Sequence, residues 1–211
     1  MFNNLLNMIN ENGIGLTLLA CIRRIVNLFY RTLILGNSKI CIDYTARIEG
    51  LRNIVLNNKI YAGKHFWLAT YEHYQNQSFA PKIVFKGSFY ASDFCHIGAT
   101  NYVEIGDNVL FGSKVYVTDH GHGIYSGNGV HSLPEISPVQ RDLNDDKQVI
   151  IGDNVWVGDN VVILPGVTIG NGCVIGSNAV VTKDLPDNCI AVGIPAKVIK
   201  RYNAAAKKWE Q

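Results

Sequence analysis

The chain has 211 residues, 47% of them apolar, and a formal net charge of +2. That length suits one large domain or a domain with an appendage, in a composition ordinary for a globular protein. A charge so near neutral argues against nucleic acid as a partner, and five scattered cysteines, an odd number without metal-type spacing, argue against a disulfide framework and read as reduced thiols of a cytoplasmic protein.

Residues 1–36 read as a helical cap. The stretch 14–35, IGLTLLACIRRIVNLFYRTLIL, is apolar but interrupted by Arg23, Arg24 and Arg31. A spanning helix needs about 20 uninterrupted apolar residues, so an amphipathic helix is expected instead. It either covers the first hydrophobic layer of the adjoining domain or makes a basic, peripheral contact at the inner face of a membrane. No signal-peptide cleavage pattern follows the start. Gly36-Asn37-Ser38 supplies the turn that ends the helix.

From about Ile40 apolar residues recur at six-residue intervals: Ile48, Ile54, Ile60 and Phe66. A polar stretch at 72–82 interrupts them and is expected to loop out. The pattern resumes at Ile83, Phe89 and Cys95, loses phase over 101–104, and returns at Ile105, Phe111 and Val117. A long polar, turn-rich excursion covers 123–149; long ordered loops in compact domains are usually functional. Residues 151–186 then run without a slip, opened by Ile151, Val157, Ile163, Ile169, Ile175 and Val181. A period of six fits neither helix nor plain strand. It fits a solenoid of short parallel strands with one apolar residue inward per flat side and a turn at each corner. Gly and Asn recur where corners need unusual backbone angles. The β-helix is expected over 37–200, with a short helix or tail at 201–211.

The chemistry concentrates in Thr118-Asp119-His120-Gly121-His122-Gly123, just before the excursion. A neutral imidazole can take a proton from a hydroxyl near pH 7, and a neighbouring carboxylate can fix its tautomer. The same residues read alternatively as exposed loop histidines or as metal ligands. Only His96 stands as a further histidine for a zinc site, so no metal is expected.

Residues 83–200 resemble the hexapeptide-repeat O-acetyltransferases. The resemblance rests on IGDNVLFGSKVYVTDHGHGIY, SPVQR, VIIGDNVWVGDNVVILPGVTIG, IGSNAVVTKDLPDN and VGIPAKVIKRY. The nearest branch resembles sugar and polysaccharide O-acetyltransferases of the maltose, galactoside and lipopolysaccharide type. The resemblance implies a left-handed parallel β-helix, a homotrimer with sites at subunit junctions, acetyl-CoA as donor, and a histidine base that activates a sugar hydroxyl. Laid without gaps on the family pattern from Ile105, that base falls on His122, with His120 its competitor and Asp119 orienting the base or lining the acceptor pocket. Trp156 would stand beside the thiol end of CoA. Gly158, Asp159, Ser177, Thr182, Lys183, Lys197 and Lys200 would follow the CoA track, with lysine at both tail positions where some relatives have arginine. Tyr90, Ser92, Asp93 and Tyr125 are acceptor-pocket candidates; galactoside-type relatives carry Asn near Ser92. The expected activity is acetyl transfer to a hydroxyl of a surface polysaccharide (capsule or lipopolysaccharide) or its precursor. N-acyl transfer to an amino sugar and a non-catalytic assembly module are the alternatives.

Overall fold

A computed structural model describes residues 2–125, 131–144 and 146–211, so two pieces of the expected excursion, 126–130 and 145, lie outside the described residues. From Ile40 to Val192 the chain winds as a three-faced coil. The first face stacks Ile40–Ile42, Ile60–Ala62, Phe89–Ala91, Val109–Phe111, Trp156–Val157, Val174–Ile175 and Cys189–Val192. The second stacks Arg47–Glu49, Trp67–Thr70, His96–Ala99, Tyr116–Thr118, Val162–Ile163 and Val180–Val181. The third stacks Ile54–Leu56, Lys82–Phe85, Tyr102–Ile105, Gln148–Ile151 and Thr168–Ile169. Pairing through these stacks is parallel, so each strand bonds only to the coil before and the coil after.

The register corrects the phase of the early repeats. Phe85, Ala91 and Ile97 align with Ile105, Phe111 and Val117. The openers expected at Ile83, Phe89 and Cys95 therefore sit two residues earlier, also pointing inward and fully buried. The slip arises at corners. A 3-10 turn at Leu51–Asn53 lengthens one, and Thr100 and Asn101 lengthen another; Tyr102–Ile105 is a regular strand. Each strand thus sends two side chains inward, and a six-residue count cannot tell which of the two opens the block.

Glycine and asparagine have separate jobs at the corners. Asn108, Asn154, Asn160, Asn178 and Asn188 take the left-handed angles, with φ between 54° and 63°, which asparagine tolerates better than most residues. Most block glycines instead make room for the next coil. A Cβ on Gly158 would lie 2.7 Å from both the amide nitrogen and Oγ of Ser177, and one on Gly112 would lie 2.8 Å from the Asp159 nitrogen. Those close approaches carry bonds between coils: Ser113 N donates to Asp159 Oδ1 at 2.5 Å, and Asp159 N donates to Ser177 Oγ at 3.2 Å.

The core runs the length of the coil. Its late coils hold Val, Ile, Cys and Ala, while its middle holds four buried phenylalanines, Phe66, Phe85, Phe89 and Phe111. Phe89 lies 5.0 Å, centroid to centroid, from both Phe85 and Phe111. Cys173 and Cys189 approach to 3.6 Å between sulfurs within this core and are free thiols.

Both ends differ from expectation. The C-terminal residues form no helix: Lys197–Asn203 and Lys208–Glu210 are antiparallel strands folded onto Cys189–Val192. Pro195 and the positive-φ Gly193 turn the chain back on itself before it can coil further. At the other end, Phe2–Phe29 is helical but broken at Gly13 (φ 76°, ψ 165°). The helix does not lay an apolar face over the first coil. Its inward side is polar: Arg23 pairs with Asp43 at 2.5 and 2.7 Å, the Asn27 amide bonds Asp43 and the Tyr44 N–H, and the Tyr30 hydroxyl donates to the Ala46 carbonyl. These bonds hold the Asp43 carboxyl below the usual carboxylate range, against the desolvation that would raise it. Of the apolar residues here, Tyr30 and Leu35 pack on the core.

The two polar interruptions meet. His73–Tyr74 and Gln77–Ser78 form a small hairpin. The Gln77 amide donates to the Leu143 carbonyl at 3.0 Å and accepts the Leu143 N–H at 2.7 Å. Gly121–His122, just before the long excursion, pairs antiparallel with Leu143–Asn144 within it. The first interruption therefore clasps the base of the second.

Candidate active site

The strand Tyr116–Thr118 ends on the second face, and Asp119 and His120 follow at the edge between the second and third faces. Asp119 is fully buried. Its carboxyl accepts the Thr100 N–H at 2.9 Å and the Asn101 N–H at 2.8 Å from the lengthened corner of the preceding coil. The same carboxyl lies 2.8 Å from His120 Nδ1, with Thr118 Oγ1 at 3.0 Å. A carboxylate that already accepts two backbone N–H groups accepts a third hydrogen bond, from Nδ1–H of the imidazole. The lone pair is then left on Nε2. Tyr71 meets the ring edge-on at 5.7 Å. Burial pushes the Tyr71 phenol up to about 12, so it stays a hydrogen-bond donor through the neutral range.

His122 has no such anchor. It is exposed in the short pair with Leu143, and its Nδ1 lies 3.2 Å from the Tyr74 hydroxyl, which itself donates to the Val139 carbonyl at 2.5 Å. Of the two histidines, His120 has the buried carboxylate and His122 has a phenol shared with the excursion.

His96, the further histidine that the sequence offers to a zinc site, has a different setting. It lies on the second face between Trp67 (rings parallel, 4.0 Å) and Tyr116 (5.1 Å), and Arg47 covers Trp67 at 4.6 Å. The histidine ring belongs to an aromatic column that closes on Gly98, beside His120 and Tyr71. Desolvation, aided by His120 and Arg47, lowers its pKa to about 4. Below an unfolded value near 6.5 the unfolded chain then binds more protons than the fold, so stability falls as pH drops from about 6.5 toward 4. Thermal melts of wild type and His96→Phe should show the variant gaining relative to wild type between pH 7 and pH 5; a constant difference in Tm would remove this account. Among the described residues no group of three His, Cys, Asp or Glu side chains could hold a metal ion.

The remaining candidates divide among four places. Thr182 and Lys183 follow Val180–Val181 on the same edge as His120, exposed and two coils further on. Trp156, 54% exposed, lies on the first face between Leu110 and Val174. Lys197 and Lys200 extend from the hairpin strand added to that face. The first-to-second edge carries Ser92, Asp93, Gly158, Asp159 and Ser177. There Asp93 accepts the Lys64 N–H at 2.7 Å, while Asp159 and Ser177 hold neighbouring coils together. These three side chains therefore have structural partners that sequence reading did not assign. Tyr90 stacks on Tyr61 at 5.1 Å. Tyr125 accepts a bond from Arg141 at 2.7 Å within the excursion. Asp119, by contrast, is fully buried against its own coil and the preceding one. Within one chain the second face separates Trp156 and Ser92 from His120.

Residues 148–183 match the family described as bacterial transferase hexapeptide (six repeats), and residues 102–131 match the hexapeptide repeat of succinyl-transferase. The galactoside O-acetyltransferase of Escherichia coli (strain K12) is 32% identical over 171 residues, covering 79% of this chain and 76% of that protein. This chain belongs to the hexapeptide-repeat O-acetyltransferase family. The putative lipopolysaccharide biosynthesis O-acetyl transferase WbbJ of the same organism is 43% identical over 129 residues, 61% of this chain and 65% of that protein. The match thus spans just under two thirds of WbbJ. The structure of AntD, an N-acyltransferase from Bacillus cereus in complex with dTDP and 3-hydroxybutyryl-CoA, superposes with a TM-score of 0.61 at 22% identity, covering 80% of this chain and 83% of that one. As in that family, the coil is a left-handed parallel β-helix, an exception to the right-handed rule for parallel crossovers.

Proposed function

We propose that this hexapeptide-repeat protein transfers an acetyl group from acetyl-CoA to a hydroxyl of a sugar in a surface polysaccharide or its precursor. The single observation that carries the mechanism is the Asp119–His120 pair at the clasped edge, with Nε2 of His120 as general base. This reverses the preference for His122 that the gapless reading implied. Nε2 takes the proton as the hydroxyl oxygen attacks the thioester carbonyl. The tetrahedral intermediate then collapses, the C–S bond breaks, and the imidazolium returns its proton to the departing thiolate. The products are the acetyl ester and CoA.

The donor is assigned to the second-to-third edge, where Thr182 and Lys183 stand on the same ridge as His120. Trp156, Lys197 and Lys200 lie across the second face and would reach this site from a neighbouring subunit. A trimer with sites between chains, the arrangement that the family resemblance implies, supplies that neighbour. The galactoside O-acetyltransferase and WbbJ relatives support a sugar acceptor, and five free cysteines suit a reducing, cytoplasmic setting.

The test is transfer of labelled acetyl from acetyl-CoA to extracted glycan. Label released by mild base supports an ester. Label that resists base points to an amide and the N-acyl alternative; absence of transfer to any acceptor favours the assembly-module reading. Within the mechanism, Asp119→Asn should lower kcat by about 100-fold or more, because an amide can present its N–H to Nδ1 and turn the lone pair the wrong way. A profile within twofold of wild type would separate Asp119 from the reaction.

A further inference from the structure

The helix at the start of the chain is built with its polarity reversed. Its side toward the coil carries Arg23 and Asn27, one turn apart, followed by Tyr30 and Arg31 in the π-helical turn Tyr30–Ile34 that continues it, and all four bond to the first coil. Its outer side carries Ile14, Leu18, Leu19, Ile22, Ile25 and Phe29, all exposed. A helix meant to stabilise its own domain buries its apolar side. Here that side is left outward while the protein satisfies the polar one. Such a contiguous exposed apolar surface marks an interaction site.

Spanning is a poor use of this segment. Leu6–Ile34 has the length and hydropathy to cross a membrane, with 6% of that stretch buried. However, Gly13 breaks the helix, Thr17 Oγ1 folds it back by bonding the Met8 carbonyl at 3.0 Å, and Arg23, Arg24 and Arg31 interrupt the remainder. The charge beneath the helix identifies the partner. A cavity of about 540 Å³ opens between the helix and the first face, lined by Arg23, Arg24, Arg31 and Lys64 against Asp43 and Asp93. Arg23 is neutralised by Asp43, while Arg24 and Lys64 are exposed and the Arg31 Nε is buried without a partner. The cavity at the margin of the helix therefore carries more basic than acidic side chains.

We propose that this face docks on the surface of an anionic phospholipid bilayer. The outer apolar side chains enter the headgroup–acyl boundary, and the exposed Arg24 and Lys64 at the margin of the helix reach lipid phosphates. The assignment is independent of acetyl transfer.

The experiment is flotation of the full-length protein with vesicles of phosphatidylcholine alone or with one quarter phosphatidylglycerol, at low salt. Most of the protein should float with the anionic vesicles. The bound fraction should fall at least about fivefold on neutral vesicles and in Arg24→Glu, since each basic residue near the surface contributes about 1 kcal/mol. Leu18→Glu with Ile25→Glu, both at exposed positions, should abolish binding while leaving the far-ultraviolet circular dichroism unchanged. Protein that stays at the bottom with both vesicles, or binds both equally, overturns the proposal. So does a change in particle mass caused by the glutamates in lipid-free gradients, which would give the face to a second copy.

Discussion

Replacing His120 with alanine is expected to lower kcat/KM for acetyl transfer by about 100- to 10,000-fold, the usual contribution of a positioned general base. The loss should appear in kcat, with the KM for acetyl-CoA within a few-fold of wild type, because the proposed mechanism has the imidazole meet the acceptor hydroxyl and not the nucleotide. His122→Ala should stay within about tenfold. The difference follows from the carboxylate: Asp119 is buried and fixed by two backbone N–H groups from the preceding coil, so the His120 tautomer is set before substrate arrives. His122 relies on a tyrosine hydroxyl at 3.2 Å whose proton goes to the Val139 carbonyl. Steady-state assays of both variants decide the matter. A large loss in His122→Ala with an active His120→Ala would return the base to His122.

The largest stability effect is expected at Phe89. Phe89→Ala should destabilise the fold by about 3–5 kcal/mol. The ring is fully buried and touches Phe85 and Phe111 at 5.0 Å and Phe66 at 6.3 Å. The space it leaves cannot collapse, because the strand is held in register with Ile60–Ala62 on one side and Val109–Phe111 on the other. Its neighbour Tyr90 points outward and stacks on Tyr61. Tyr90→Ala should cost about 1 kcal/mol or less. Urea unfolding of the two variants measures the contrast; equal midpoints would mean that the aromatic cluster does not anchor the middle coils.

The coil was legible because each flat side repeats the same demand on the chain: an inward apolar residue, a glycine where the next coil comes close, an asparagine where the backbone turns left-handed. Gly158 and Asn160 show that pattern directly. The early register was not legible, since Ile83 and Phe85 are both inward and buried, and spacing cannot rank them. The site was half legible. The DHGH stretch announced an imidazole beside a carboxylate, but the proposal of His120 over His122 draws on Thr100 and Asn101, about a coil earlier, whose N–H groups point at Asp119. Asp159 and Ser177 stood on the expected CoA track and Asp93 among the acceptor candidates, and their inter-coil bonds depend on contacts 18 to 46 residues away that no local window contains. The terminal segment was misread because NAAAKKWEQ has good helix formers, while Tyr202 and Trp209 meet across the hairpin at 5.4 Å and favour strands.

That hairpin settles where the solenoid stops. Cys189–Val192 would otherwise end the first face with a row of free backbone groups, the same template that every earlier strand offered to its successor. Reversing direction at Lys197 fills the row with an antiparallel strand, and the short Lys208–Glu210 segment closes it with a lysine and a glutamate at its margin. Nothing in a six-residue repeat limits its own number. Without this closure the first face of the last coil would offer its edge to another chain; with it, that face ends on a short charged strand.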